Sequence, residues 1–280
     1  MRIFLAGGIL GNLNPFWRLT AENKIEDAMK IFLAGQNGKI RMLRERSMEG
    51  ESLDIAVLES FFYCETDDYI QRLIPRFSDF LLDSGAFTFM MGNHGKPIIW
   101  EEYTDKFADF IVHNKIDKFF ELDIDSLVGY DQVKALRARL ERTTGKKPIP
   151  VWHKSRGKNE FLNMADNYPY VALGGIVSKE WSKEEHKYFP WFISEAHKRG
   201  AKIHGLGYTQ LEGLKKYHFD SVDSTAWTTG NRFGFVYEFT GTTMIRHDVP
   251  KGHRLADPRA VALINFSEWI KFQKYAEVHL

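Results

Sequence analysis

Short apolar runs that stop at an acid, a glycine or a proline recur through most of the chain. Eight of them have the length of a strand and lie at residues 2–6, 54–62, 79–83, 118–123, 148–153, 170–176, 202–206 and 218–223. Most intervening segments repeat apolar residues every three or four positions, as Val133, Leu136 and Leu140 do before Gly145, which is the pattern of an amphipathic helix. Alternating strands and helices predict a parallel sheet with right-handed crossovers. Eight such strands predict an α/β fold closed as a (β/α)8 TIM barrel.

Two regions do not follow this alternation. Residues 8–50 mix glycine, asparagine and basic residues, and they predict an insertion over the barrel mouth. The basic residues there are Lys39, Arg41, Arg44 and Arg46. The run at 54–62 could equally begin a helix, and the segment 265–278 predicts an amphipathic carboxyl-terminal helix that serves as a packing element. With no internal repeat and no linker, the chain is interpreted as one domain over residues 1–280.

The composition narrows the class of protein. The chain has 280 residues, of which 44% are hydrophobic, enough for a large core. Its 38 basic and 37 acidic residues nearly cancel, so the net charge does not indicate a nucleic-acid-binding protein. Cys64 is the only cysteine, which excludes an internal disulfide and a cysteine-rich zinc site and predicts a reducing cytoplasm. No apolar run reaches the about 18 residues of a membrane span, so we expect no membrane partner.

The carboxyl ends of the predicted strands carry acids. Asp83 ends the run at 79–83 and is followed by Ser84 and Gly85. Barrel enzymes place their catalytic residues at this end of their strands, so Asp83 is a candidate catalytic residue. The structural alternative is an aspartate that caps the next turn or helix. Asp220 and Asp223 are separated by an odd number of positions, so a regular strand directs only one of them into the site.

A second acidic group occurs in the run at 118–125. Glu121, Asp123 and Asp125 alternate and so share one face of a strand, which is costly unless the acids have a use. They could bind a metal ion, orient a base or accept protons from a ligand, although no HxH or HExxH spacing accompanies them. Asp125 could equally reach solvent.

Further candidates lie at two later strand ends. His153 follows an apolar run, although a lone histidine is more often structural than catalytic. Gly174 and Gly175 would let the backbone approach a flat ligand, and a tight turn would explain them equally well.

Four motifs in order resemble the tRNA-guanine transglycosylase superfamily, whose members exchange a guanine in nucleic acid for a 7-deazaguanine. They are LLDSGAFTFM, FELDIDS, VALGGIVSKE and FDSVDST, which are similar to the family's DSGGFQ segment, its substrate-base aspartate segment, its GGL segment and its FDCV segment. A single cysteine cannot supply the family's zinc site of three cysteines and a histidine. The chain therefore most resembles the phage-type and bacterial enzymes that modify DNA.

The resemblance implies roles for the candidates. Asp83 would be the general acid/base; the motif aligns the nucleophile with Asp220, whereas the strand-end position favours Asp223, and both stay open. The ligand contacts implied are Asp123, Asp125, His153, Gly174, Gly175, Ser84 and Arg232, with Lys154, Arg156 and the basic cluster as phosphate contacts. It implies no zinc or other cofactor, and its partners would be DNA, or alternatively tRNA, and a preQ0-type or preQ1-type base. A homodimer is left open.

Three other activities fit the same residues. One is a TIM-barrel nucleoside or glycoside hydrolase with water as acceptor. Another is a nucleic-acid-binding protein without catalysis. The third is metal-dependent hydrolysis at the acidic row.

Overall fold

The computed structural model describes residues 29–34, 53–85, 88–89, 98–208, 210–250 and 257–280, without the side chains of residues 53, 211, 231 and 232. Seven parallel strands form one sheet: β1 (Lys30–Ala34), β2 (Leu53–Ser60), β3 (Phe77–Asp83), β4 (Val151–Trp152), β5 (Tyr170–Leu173), β6 (Lys202–Gly205) and β7 (Ser221–Ser224). Their order is β3-β2-β1-β7-β6-β5-β4. The fold is thus of the α/β class, with a curled parallel sheet and helices between the strands.

The two edges of this sheet are linked by a short extended segment. Phe119 forms a parallel bridge with Leu82 of β3, and Phe120 forms one with Ile149, just before β4. The run predicted as a strand at 118–123 therefore contributes only these bridges among the described residues. Its polar end turns at once into a helix that begins at Asp125, which explains why no longer strand forms.

The strand predictions can be compared with this sheet. Six runs are confirmed as β2 to β7, namely those at 54–62, 79–83, 148–153, 170–176, 202–206 and 218–223. The run at 54–62 is a strand to Ser60 and a helix from Phe61, so both readings of it hold in part. The predicted strand at 2–6 and the basic cluster at 39–46 lie outside the described residues. The insertion predicted over 8–50 is wrong in part, because β1 lies within it, and this strand is placed between β2 and β7 in the sheet.

Helices separate the strands and cover the sheet. They are α1 (Phe61–Cys64), α2 (Asp68–Leu73), α3 (Trp100–His113), α4 (Asp125–Val128), α5 (Tyr130–Thr144), α6 (Gly157–Asn167), α7 (Phe189–Lys198), α8 (Leu211–Lys216), α9 (Ala226–Phe233) and α10 (Pro258–His279). Helix α5 buries Val133, Leu136 and Leu140 and ends at Gly145, whose φ of 67° suits a left-handed cap, as the sequence predicts. No helix of the described chain has both the length and the apolar content that crossing a membrane requires.

The carboxyl-terminal helix is confirmed as a packing element and is joined to the sheet by a buried amide. Gln273 of α10 is fully buried. Its Oε1 accepts the Ala56 N–H at 3.1 Å, and its Nε2 donates to the Ala56 carbonyl at 2.8 Å and to the Ile31 carbonyl. Strands β1 and β2 pair only from Leu33 onwards. Gln273 therefore satisfies backbone groups of β1 and β2 near where these strands have not yet paired.

An antiparallel hairpin that the sequence analysis did not anticipate precedes α10. Its strands are β8 (Phe235–Phe239) and β9 (Met244–Asp248). The Tyr237 N–H donates to Oδ1 of the buried Asn265 of α10 at 2.6 Å, which fixes the hairpin against the helix.

The sheet is buried on both faces, as expected when helices cover a parallel sheet. Ile31, Leu33 and Val57 belong to the cluster that packs against the helices. Phe32 and Ala34 alternate with them and join a second cluster on the concave side of the sheet, with Ala56, Leu58, Leu81, Phe120, Ile149, Val151 and Ala172. This inner cluster lies beneath the polar residues at the strand ends.

Candidate active site

A cavity of about 1550 Å³ opens at the carboxyl ends of the strands. Its acidic lining residues are Glu59, Asp83, Asp123, Asp125, Glu180 and Asp223, and its basic ones are His153, Lys154 and Arg156. Since parallel strands bring their carboxyl ends to one rim, acids that are distant in sequence meet here. The charged residues of the described lining therefore include more acids than bases.

Asp83 is the last residue of β3. Its Oδ2 accepts the Gly85 N–H at 2.9 Å. Gly85 has a φ of +84°, and a Cβ there would lie 2.7 Å from that of Phe62, so glycine is needed for this turn. Burial raises the pKa of Asp83 more than the Gly85 N–H lowers it, and the charges of Asp223 and Asp123 raise it further, to about 6. Asp83 can therefore both give and take a proton near neutral pH.

Ser84, predicted as a ligand contact, has another role. It is buried and is not part of the cavity lining. Its carbonyl accepts the Tyr103 hydroxyl at 2.6 Å, which anchors the backbone directly after Asp83.

Of the two aspartates near β7, Asp223 lies at the cavity. Its Oδ1 accepts the Gly207 N–H at 2.5 Å and faces Nε2 of His204 at 3.2 Å. Asp220 precedes β7, at the other end of the strand. There its Oδ2 contacts the Ile203 N–H at 2.7 Å and Nε2 of His197 at 2.9 Å. The odd spacing separates the two as predicted, and the position favours Asp223; the role implied for Asp220 by its motif has no support in this placement.

The three alternating acids do not share one strand face, because the regular strand is absent there. Glu121 is fully buried and lies 2.8 Å from both Arg137 and Arg156. Asp123 lines the cavity, and Asp125 begins α4. Of the three acids, Glu121 thus belongs to the protein interior, whereas Asp123 and Asp125 belong to the site.

Arg156 joins these acids. Its side chain is 1% exposed and lies 3.1 Å from Asp125, 3.4 Å from Asp123 and 2.8 Å from Glu121. A guanidinium with this number of partners acts as an internal counterion, so this placement gives no support to the phosphate contact predicted at Arg156. Lys154 is paired with Glu185 at 2.5 Å and lies over the Trp181 ring. The side chain of Arg232 lies outside the described part of the chain.

His153 is held between two carboxylates. Its Nε2 lies 2.9 Å from Asp123 and its Nδ1 lies 2.9 Å from Glu180. Burial lowers the pKa of His153, but the hydrogen bond with Asp123 and the charges of Asp123 and Glu180 outweigh it and raise the pKa to about 9. The ring is therefore an imidazolium at neutral pH, and each of its N–H groups donates to a carboxylate.

Gly174 and Gly175 make room for this arrangement. A Cβ at Gly174 would lie 2.7 Å from the His153 ring, and one at Gly175, whose φ is +77°, would lie 2.6 Å from the Glu180 carboxylate. Gly175 lines the cavity, whereas Gly174 is not part of its lining. The two glycines thus seat His153 and Glu180, which differs from the backbone contact with a flat ligand that the sequence analysis considered.

Asp123, Asp125 and His153 can bring one ligand atom each within 4.8 Å of one another, as a metal ion would require. In the arrangement found here, both nitrogens of His153 face carboxylates and Arg156 contacts both aspartates. A metal ion would need a neutral imidazole and would compete with the guanidinium. The local charges therefore favour an ion-pair network at this position.

Sequence reasoning missed several polar residues at or next to the site. One is Glu59, a buried acid that lines the cavity. His204 is fully buried on β6 and touches Asp223. Glu180 lies in a quoted motif, but its pairing with His153 was not anticipated. The alternation of side chains along a strand could have indicated His204. Neighbouring residues of a strand point to opposite faces, so His204 points to the face opposite that of the apolar Ile203.

The comparisons with known proteins give no family. No protein-family model matches the chain, and no curated protein matches it. Among solved structures, a protein described as QR15, an aldolase, has 12% identity and a TM-score of 0.47, with 71% of this chain and 90% of that one covered. A protein described as the copper homeostasis protein CutC from Streptococcus agalactiae has 12% identity and a TM-score of 0.45, with 71% and 98% covered. One described as a fructose-1,6-biphosphate aldolase from Coccidioides immitis has 10% identity and a TM-score of 0.47, with 73% and 76% covered.

These findings contradict the resemblance to the tRNA-guanine transglycosylase superfamily, since the solved structures named are described as aldolase and CutC proteins. The prediction of a transferase that exchanges guanine for a 7-deazaguanine is wrong on this evidence, and its hydrolase and tRNA alternatives are likewise without support. The physical reason lies in the motifs, which are acids or glycines that follow a strand. Barrels place such residues at strand ends whatever reaction they catalyse, so the order of the motifs is weak evidence for a family.

Proposed function

We propose that this protein is an enzyme that transfers protons to and from a small polar molecule, with Asp83 as its general acid/base. The proposal assumes that the sheet closes into an eight-stranded barrel. In this barrel the segment at Phe119 and Phe120 occupies the place of the eighth strand. Its parallel bridges to Leu82 and Ile149 support this closure.

One observation carries the proposal: three carboxylates from different parts of the chain converge on one cavity, and one of them has a displaced pKa. Asp123 and Asp223 both raise the pKa of Asp83, which places the three groups within electrostatic range of one another. A general acid/base works best when its pKa is near the working pH, and the value of about 6 meets that condition.

The lining indicates the class of ligand. Ionised carboxylates only accept hydrogen bonds, so a ligand with several hydroxyl or amino groups fits the acids of the cavity. Tyr63 and Val177 also line it and are 42% and 61% exposed, which provides an apolar contact beside the polar one. An anionic ligand would meet the excess of acids. We therefore propose sugars and amino sugars without phosphate as the substrate class.

The proposed step balances without a cofactor. The Asp83 carboxylate removes the proton from the carbon next to a carbonyl group. The electron pair of that C–H bond forms a carbon–carbon double bond, and the π pair of the carbonyl group moves to its oxygen. The protonated Asp83 then returns the proton to carbon. If Asp83 exchanges its proton with deuterated solvent before this return, the carbon acquires deuterium as a label.

A deuterium exchange assay tests this proposal. The protein is incubated in D2O with a panel of aldoses, ketoses and amino sugars, and loss of C–H signals is followed by proton NMR. We expect exchange with at least one member of the panel. Asp83→Asn should slow it by about 10² to 10⁴-fold, the usual contribution of a general acid/base. Asp131→Asn, at a side chain that is 97% exposed, is the matched control and should exchange at the wild-type rate.

Two results would overturn the proposal. One is the absence of exchange with every sugar of the panel. The other is an equal rate in the wild type and in Asp83→Asn. A phosphorylated ketose completes the panel, and a preference for it would contradict the proposed substrate class.

A further inference from the structure

A chain of buried hydrogen bonds runs from β5 to the cavity. Tyr170 contacts Ser221 through their hydroxyl groups, and Ser221 Oγ lies 2.5 Å from Nδ1 of His204. Nε2 of His204 lies 3.2 Å from Oδ1 of Asp223, which lines the cavity. His204 itself is fully buried and is not part of the cavity lining.

We propose that His204 is a positioning residue for Asp223, fixed as the Nε2–H tautomer by Ser221 and Tyr170. This inference extends the proposed function, because it assigns a support to the second carboxylate of the site. Only the catalytic meaning of this inference rests on the proposed function, because the hydrogen-bond geometry does not depend on it.

The direction of each hydrogen bond follows from the chemistry of its partners. A carboxylate only accepts, so Nε2 of His204 must carry the proton that faces Asp223. In a neutral ring Nδ1 is then an acceptor, and Ser221 donates to it. The Ser221 oxygen can in turn accept the Tyr170 hydroxyl proton. The neutral Nε2–H ring therefore gives every member of the chain a suitable partner.

Aromatic rings enclose this series of hydrogen bonds, and burial keeps the Tyr170 hydroxyl at its end protonated. The ring centroids of Phe120, Phe32 and Tyr170 lie 5.2, 6.2 and 6.5 Å from that of His204. Hydrogen bonds are stronger in such an apolar enclosure. Burial raises the pKa of Tyr170, which Asp220 and Asp79 raise further, so its hydroxyl remains a donor.

Two donors then meet on the same oxygen of Asp223. Oδ1 is held by His204 Nε2–H and by the Gly207 N–H at 2.5 Å. Among the described residues, both of these contacts fall on Oδ1, which leaves Oδ2 as the oxygen that a ligand would meet. The Gly207 amide therefore reports on the position of Asp223, independently of any substrate.

The test uses the whole protein with ¹⁵N-labelled histidine and ¹⁵N backbone amides. We expect the His204 ring to show the neutral Nε2–H tautomer at pH 7. Its signals are assigned by their loss in His204→Gln, and His113→Gln, at an exposed helix end, is the matched control. Asp223→Leu should abolish the slowly exchanging Nε2–H signal, whereas Asp223→Asn, which keeps an oxygen acceptor, should retain it.

The positioning role has its own readout. His204→Leu should shift the Gly207 amide signal and speed its hydrogen exchange, whereas His204→Gln, which keeps an N–H donor, should restore both. An Nδ1–H tautomer, an imidazolium, or an unchanged Gly207 amide in His204→Leu would each overturn the inference. Because no substrate is needed, failure of this test is distinct from failure of the sugar exchange assay.

Discussion

At the scale of single residues, the three carboxylates that converge on the cavity differ in their partners. Asp123 faces the cations of His153 and Arg156, and Asp223 faces the His204 ring and the Gly207 N–H. Asp83 has a backbone N–H and two nearby acids. A carboxylate that is desolvated near like charges binds a proton more readily. These environments single out Asp83 as the group that changes its protonation state.

The His153 pair gives a prediction of stability against pH. Its pKa in the folded protein is about 9, above the unfolded value of about 6.5, so its stabilisation is complete below about pH 6.5 and is lost as the pH rises through 9. We expect the wild type to lose about 2–3 kcal/mol more unfolding free energy between pH 7 and pH 10 than His153→Gln does.

Urea unfolding at a series of pH values measures this difference. His113→Gln should follow the wild type throughout, because His113 is exposed at the end of α3. If His153→Gln and the wild type have parallel curves above pH 7, the imidazolium pair is not formed in solution.

At the scale of elements, the position of α10 depends on a buried amide in an otherwise largely apolar contact. Gln273→Leu would leave backbone groups of Ala56 and Ile31 buried without their partner. Each of these three groups costs about 1–3 kcal/mol when it is left unpaired, so we expect a loss of at least about 3 kcal/mol in unfolding free energy. Lys271→Gln, on an exposed face of the same helix, should change it by less than about 1 kcal/mol.

Denaturant unfolding of the two variants checks this prediction. An equal stability of Gln273→Leu and the wild type would mean that α10 does not bond to β1 and β2 through this side chain.

The elements also show what the sequence could and could not indicate. Strands β2 to β7 and the buried face of α5 follow from apolar patterns, since these segments are short or amphipathic and end at glycine or acids. Strand β1 was missed because its apolar run lies within a segment of mixed composition. The β8–β9 hairpin was missed because its outer side is exposed, and its order depends on contacts with Asn265 of α10.

For the site, too, the sequence pattern indicated some features and could not indicate others. Strand ends located Asp83, Asp123, His153 and Asp223, because parallel strands bring such positions to one rim. The pattern could not show that Arg156 is an internal counterion or that Gly174 makes room for the His153 ring. Those facts depend on packing between segments that are distant in sequence.

At the scale of the whole molecule, the described part of the fold provides an acidic cavity above a packed apolar cluster. The curled sheet supplies carboxylates from several strands, and the buried network of Arg156, Glu121 and Arg137 stabilises the side that holds His153. Short motifs at the rim could not identify a family, because this geometry is shared by barrels of many activities. The chemistry of the cavity is therefore the basis of the proposed function.

The most direct test of this account is a titration of the Asp83 carboxyl group. Carbon NMR of protein with ¹³C-labelled aspartate carboxyls, with Asp83→Asn to assign the signal, gives its midpoint without any substrate. The account predicts a pKa of about 6. A midpoint at the ordinary aspartate value of about 4 would contradict it, because Asp83 would then be fully ionised at neutral pH and could not act as the acid.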